Sequence, residues 1–166
     1  MRLIPIIAAT ALLGSVGTFA LAQTQPMTPQ DFATTAASSD MFEIQSSEIA
    51  LEKAQSDQVK EFAQQMIDDH TKASEELKAA AEQDGASLPG ELLETHQVQL
   101  DQLGNASDDG FDAAYIQAQV LAHEEAIALM TDYAENGEDG ALKAHAQKTA
   151  PIIQTHLEHV QQLAPQ

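Results

Sequence analysis

The chain has no cysteine and no tryptophan, carries only 7 basic residues against 26 acidic ones, and is just 4% aromatic over 166 residues. Each shortage excludes something. Without cysteine there are no disulfide staples, zinc thiolates, iron–sulfur clusters or thiol catalysis, so any metal must be held by His, Asp, Glu or Met. A formal net charge of −19 repels phosphate backbones and anionic lipid headgroups, which argues against a nucleic-acid partner. The same charge gathers cations loosely around the surface, although solubility alone explains it equally well. Strand signals are also missing: β-branched runs are few and no stretch alternates polar with apolar residues.

One long apolar run is present, and it lies at the very start. Arg2 precedes Leu3 to Leu21, and Ala20-Leu21-Ala22 ends the run in the small-x-small pattern of a signal-peptidase site. Pro5, Gly14 and Gly17 weaken the competing reading, a retained membrane anchor. We therefore expect a signal peptide at residues 1–22, cleavage after Ala22, and a periplasmic or secreted protein with no stable membrane span. Residues 23–28 read as a disordered lead and 29–164 as one domain.

Within that domain the apolar residues recur at helical spacing in four long segments. Thr28-Pro29-Gln30-Asp31 is a helix start, followed by a stripe of Phe32, Ala36, Ser39, Glu43, Ser47, Ala50 and Ala54, with a second stripe of Ala37, Met41, Ile44 and Leu51 beside it. Ser56-Asp57 opens the next segment, in which Val59, Phe62, Ala63, Met66, Ile67, His70, Ala73 and Leu77 share a face until Asp84-Gly85. A long connection, 85–110, holds a short amphipathic stretch from Leu92 to Leu103 that would cover one end of the molecule. The third segment starts at Asp108 or Asp109 and runs through Phe111, Tyr115, Ile116, Val120, His123, Ile127, Met130 and Tyr133. The fourth starts near Asp139 and runs through Leu142, Ala146, Thr149, Ile153, His156, Val160 and Leu163, with Pro151 expected to kink or divide it. Four long amphipathic helices with one long crossover predict an all-α four-helix bundle.

Three of these stripes carry a histidine, His70, His123 and His156, and Glu43 lies near the inner face of the remaining one. A single histidine on an apolar face is most often a satisfied core residue. Three with a carboxylate are harder to bury, because each unpaired polar group costs roughly 1–3 kcal/mol. They must meet one another, water or an ion. Asp69, beside His70, is placed to hydrogen-bond across the bundle. Met66 and Met130 stand at core spacing and read as packing. His96 and His145 read as surface, His159 as the edge of its stripe. Glu124 and Glu125, directly after His123, read as a solvated face, with orientation of the His123 ring as the sharper alternative.

The stretches Met41-Phe42-Glu43-Ile44, Val59-Lys60-Glu61-Phe62-Ala63, Met66-Ile67-Asp68-Asp69-His70, Phe111-Asp112 with Tyr115 and His123, and Ala150-Pro151 with His156-Leu157 resemble an exported ferritin-like bacterial family, domain of unknown function 4142. The resemblance implies a ferritin-like bundle after a signal peptide, with Glu43, Asp69, His70, His123 and His156 as the matching polar positions, and it implies no activity. Di-iron bundles use Glu-x-x-His pairs; here Ile67, Val120 and Ile153 stand three residues before the three histidines. An O₂-activating di-iron centre is therefore not expected. The residues favour one transition-metal ion, Zn, Cu, Ni or Fe, held by His70, His123, His156 and Glu43 with Asp69 in support, in envelope metal handling or stress tolerance. The alternatives are a non-catalytic structural or interaction bundle with hydrogen-bonded core histidines and, ranked last, a metal-dependent oxidoreductase.

Overall fold

A computed structural model describes residues 26–164; the expected leader lies outside them. The regular structure among the described residues is all helical: α1 (Pro29–Lys53), α2 (Asp57–Asp84), α3 (Glu94–Gly104), α4 (Phe111–Asn136) and α5 (Ala141–Leu163), with one 3-10 turn, Asp108–Gly110, before α4. No described helix is long and apolar enough to cross a membrane.

Local chemistry sets the helix ends. The Thr28 hydroxyl accepts from the Asp31 N–H, and Pro29 occupies the first turn, where its missing donor costs nothing. Gly85 ends α2 at φ 73°, the left-handed conformation that a side chain disfavours. Two carboxylates then clamp turns remote in sequence. Asp84, the last residue of α2, accepts from the N–H groups of Ala141 and Leu142 at 3.0 and 2.7 Å, capping α5. Gly140 is required beside it, because a Cβ there would come within 2.5 Å of the Asp84 carboxylate. Asp112, in the first turn of α4, accepts from Gln55 and Ser56 and so fixes the α1–α2 turn.

These clamps also define the topology. α1 rises and α2 descends beside it, so that Ser87 meets Gln30 near the start of α1. The chain then climbs along α3 to the other end, where α4 begins against the α1–α2 turn, and α5 returns. α1 packs on α2 and α4, and α5 packs on α4 and α2. Every neighbouring pair of the four long helices is therefore antiparallel, whereas α3 runs parallel to α1.

α3 does not cover an end as expected. Leu93 N–H and the His96 ring both bond Ser38 Oγ, while Lys53 Nζ reaches the carbonyls of Gly104 and Ala106. The helix thus lies lengthwise along α1 and against α4, because it must carry the chain from one end of the molecule to the other. Pro151 does not divide α5, which is continuous from Ala141 to Leu163. Pro151 is exposed, as is Gln147, whose carbonyl loses its helical partner on the solvent side. Of the second stripe expected on α1, Ala37 is buried but Met41, Ile44 and Leu51 are only half-buried, as is Ser39 of the first; Ser38, Asp40, Phe42 and Ser46 are buried in their place.

The core is divided in two. One half holds Phe32, Leu77, Met130, Tyr133, Leu142 and Ile153, with Phe32 and Tyr133 stacked at 3.9 Å. The other holds Val59, Phe62, Met66, Phe111, Tyr115 and Val160. Met66 and Met130 are both core packing, as their spacing predicts. Between the halves each long helix buries polar residues, among them Glu43 on α1, His70 on α2, His123 on α4 and His156 on α5. Burial of large apolar side chains, worth roughly 1.5–3 kcal/mol each, thus holds the molecule together above and below a polar waist.

Candidate metal centre

The waist brings the three histidines into one cluster. Their ring centroids form a nearly equilateral triangle, 6.0 Å from His70 to His123, 5.8 Å from His70 to His156 and 5.7 Å from His123 to His156. One nitrogen from each lies within 4.8 Å of the others. All three are buried, His123 completely.

Each ring is oriented by a partner that can only accept. His70 Nδ1 meets Asp40 Oδ1 at 2.8 Å, His123 Nδ1 meets the Gln119 carbonyl at 2.8 Å, and His156 Nε2 meets Asp69 Oδ2 at 3.0 Å. A carboxylate or carbonyl demands an N–H opposite it, so in the neutral ring those nitrogens carry the proton. The other nitrogens, His70 Nε2, His123 Nε2 and His156 Nδ1, are then bare lone pairs, and all three are buried without a hydrogen-bond partner. Glu43 adds two more acceptors. It is 1% exposed, neither of its oxygens has a partner, and Oε1 stands 3.5 Å from His123 Nδ1 without making a hydrogen bond. The three inward nitrogens thus form a pocket of acceptors, while Glu43 lies beside the protonated Nδ1 of His123.

Protons cannot fill it evenly. Burial disfavours a charged His70, but the Asp40 hydrogen bond and the charges of Glu43, Asp40 and Asp69 outweigh that, and its pKa is raised. For His156 burial and the neighbouring His70 and His123 charges dominate over Asp69, and its pKa falls to about 4. Crowded imidazoles repel one another's protons. A single cation can accept the three inward ring lone pairs at once, so the triad could hold a metal ion; Glu43 is not part of the cluster of ligand atoms. The orienting partner behind each ring is the arrangement that metal-binding histidines need.

The other sequence candidates fall elsewhere. Asp69 is brought to the site, but its carboxylate sits on the outward nitrogen of His156, with 44% of its side chain exposed. His159 is half-buried at the edge of the Phe62 ring, at 5.2 Å, outside the triad. Glu124 and Glu125 are exposed, and the Gln119 carbonyl orients His123 in their place. His145 and His96 are not surface residues. His145 is 7% exposed beside Thr149, and His96 is half-buried against Ser38 because α3 lies along α1.

Two functional residues were missed. Asp40 is 6% exposed, orients His70 and also accepts from Ser74. Its signal was present, since Ala36, Asp40, Glu43 and Ser47 step along one helical face. Gln119 stands one turn before His123 and one turn after Tyr115; its amide donates to Ser46, while the Tyr115 hydroxyl bonds Ser47. These bonds tie α1 to α4 beside the waist.

No curated protein and no solved structure matches the chain. One family model does, that of a domain of unknown function (DUF4142), over residues 17–163. The match spans nearly the whole sequence, and the chain belongs to that family.

Proposed function

We propose that the protein is an exported, ferritin-like four-helix bundle that binds one transition-metal ion at its waist, in the service of metal handling or stress tolerance in the cell envelope. His70 Nε2, His123 Nε2 and His156 Nδ1 are the nitrogen ligands and Glu43 the carboxylate ligand. Asp40, Asp69 and the Gln119 carbonyl hold the rings in the ligating tautomer. Export rests on the leader pattern at residues 1–22. The ferritin-like assignment rests on four long helices with antiparallel neighbours and a lengthwise crossover.

The observation that carries the metal reading is the convergence of three unpartnered, buried ring nitrogens. A structural bundle with hydrogen-bonded core histidines accounts for the outward nitrogens, each of which has a protein partner. It requires buried waters to donate to the inward ones, because lone pairs cannot satisfy one another. The absent Glu-x-x-His pairs count against O₂-activating oxidoreductase chemistry.

The test is metal content by mass spectrometry on untagged protein purified from the periplasm, beside a variant with all three histidines replaced by glutamine. Near-stoichiometric metal in the first and none in the second is expected. A ligand that binds only the folded state at a hundredfold excess over its Kd adds about 2.7 kcal/mol of stability, so the thermal midpoint should drop with chelator. Wild-type protein that carries no metal and ignores added Zn and Cu would leave the structural reading.

A further inference from the structure

The four long helices pair unequally. α1 packs most closely on α2, and α4 on α5, which leaves two looser seams between these hairpins, α1–α4 and α2–α5. The two are not alike. Beside the waist the α1–α4 seam is filled by Glu43, Ser46, Ser47, Tyr115, Gln119 and His123, all at most 1% exposed. Gln119 is tied across it to Ser46, and Tyr115 to Ser47. α3 lies against both helices and covers that seam from outside.

The α2–α5 seam has no such cover. A cleft of ≈ 90 Å³ opens to solvent there, lined by Asp69, Ala73 and Glu76 on α2 and by Lys148, Ile152 and His156 on α5. A water's share of liquid volume is about 30 Å³, so an ion fits the cleft with part of its water shell. Across the mouth runs an exposed ion pair, Lys148 to Glu76 at 2.7 Å. Exposed pairs of this kind are weak and open readily.

The cleft ends on the outward side of His156, where Nε2 meets Asp69, while the inward nitrogens of the triad are closed off from solvent. The His156 ring is therefore the barrier between cleft and triad. It is also the least firmly held of the three. Asp40 and the Gln119 carbonyl hold His70 and His123 through buried bonds, whereas the Asp69 side chain is 44% exposed and water competes for it.

Resting on the metal reading above, we infer that the ion enters and leaves the waist through the α2–α5 seam, with the His156 side chain swinging aside as the gate. Two observations carry this independently. The seam is the looser one that no further helix covers, and the ring that closes it is the one with a solvent-exposed partner. Swinging one side chain disturbs less packing than parting the apolar halves would. Route and affinity are separate properties: obstructing the cleft slows the ion's arrival and leaves its final occupancy as it was.

The chain has no cysteine, so a single introduced one takes a label cleanly. Lys72 lines the cleft and is exposed; Gln117, exposed on the α3–α4 side, is the control. Lys72→Cys and Gln117→Cys, with and without a bulky maleimide adduct, are stripped with chelator. Each then receives Zn(II) from a chromogenic chelator, or Cu(II) if Zn(II) does not load, and uptake is followed in time. The Lys72→Cys adduct should load at least tenfold more slowly than its unlabelled form, to the same final content. The Gln117→Cys adduct should match its unlabelled form, and Ile152→Ala, which trims the cleft wall, should load faster than the wild type. Uptake that the Lys72→Cys adduct does not slow, or that the Gln117→Cys adduct slows as much, overturns the route and leaves the metal site standing. If the Lys72→Cys adduct lowers the final content as well, Ile152→Ala decides, and unchanged or slower loading there overturns the route. Wild-type protein that takes up neither Zn(II) nor Cu(II) overturns the metal reading and the route with it.

Discussion

Glu43→Gln should move stability in opposite directions according to whether metal is present. The side chain is almost isosteric, and Glu43 is buried with two unpartnered oxygens. The substitution removes a buried charge and turns an amide with two N–H donors toward a pocket whose three free ring nitrogens only accept. In chelator, one or two new hydrogen bonds at about 1 kcal/mol each should stabilise the variant by about 1–2 kcal/mol. For a domain of this size that raises the thermal midpoint by roughly 3–8 °C. With saturating metal the order should invert, because a neutral amide is a poorer ligand than a carboxylate. The assay is thermal unfolding by circular dichroism of both proteins, each with chelator and with added Zn or Cu. A purely structural waist predicts the same difference in both conditions. Glu43→Gln less stable than wild type in chelator by 1 kcal/mol or more would sink the argument, since Glu43 would then be making favourable contacts without metal.

Asp40→Asn and Asp69→Asn replace the acceptors behind His70 and His156 and should each weaken metal binding 10–100-fold, the usual cost of losing an orienting partner, as measured by competition with a chromogenic chelator. An effect below twofold in both would show that the rings hold their orientation without them. The metal-free protein should lose stability on both sides of neutrality. His156 stays unprotonated in the fold down to about 4, while the unfolded chain takes that proton near 6.5, so stability falls by about 3 kcal/mol as pH drops through this window. The raised pKa of His70 acts in the opposite sense: its contribution is complete below 6.5 and is lost as pH rises through the folded value. Chelator-treated His156→Gln should therefore show a flatter acid limb, and an unchanged limb would assign the loss to other groups. Asp84→Ala frees the N–H groups of Ala141 and Leu142 and should cost about 1 kcal/mol in urea unfolding, within the range for helix caps, with metal content untouched. A loss of metal in that variant would mean that the α5 start and the waist are coupled.

Much of the fold was legible because helical periodicity and end signals agree. The Thr28-Pro29 start, the Gly85 stop and the helix that ends at Asn136 all stand where the residues placed them. α3 was legible as a helix but not as a lengthwise strut. Its position depends on Ser38, His96 and Lys53 meeting across more than fifty residues, and nothing local encodes that. Pro151 misled for a related reason: its lost hydrogen bond lies on the solvent face, where a helix tolerates it. Of the site, the three histidines could be read from their stripes, since a titratable ring on an apolar face stands out. Asp40 and Gln119 could not be read so easily, because α1 is rich in small polar residues and one more acid on it draws no notice. His145, three residues after Leu142, shares its buried face and was not surface as expected.

The waist also explains why a chain so rich in acid keeps its site poor in bridging carboxylate. In a di-iron bundle the carboxylates face inward and bind the ions themselves. Here Asp40 and Asp69 stand behind the rings, each spending its charge on an imidazole N–H. That makes the inward nitrogens better donors while leaving a single inward carboxylate, Glu43. On the proposed metal reading such a set would favour one ion over a bridged pair, and loading would be proton-coupled, since any proton held by His70 Nε2 must leave before that nitrogen can bind. The apolar halves above and below keep the four helices in register whether or not the ion is bound. Metal should therefore tune the waist without being needed to fold the chain, and a chelator-treated protein that remains helical yet melts at a lower temperature is the state this architecture implies.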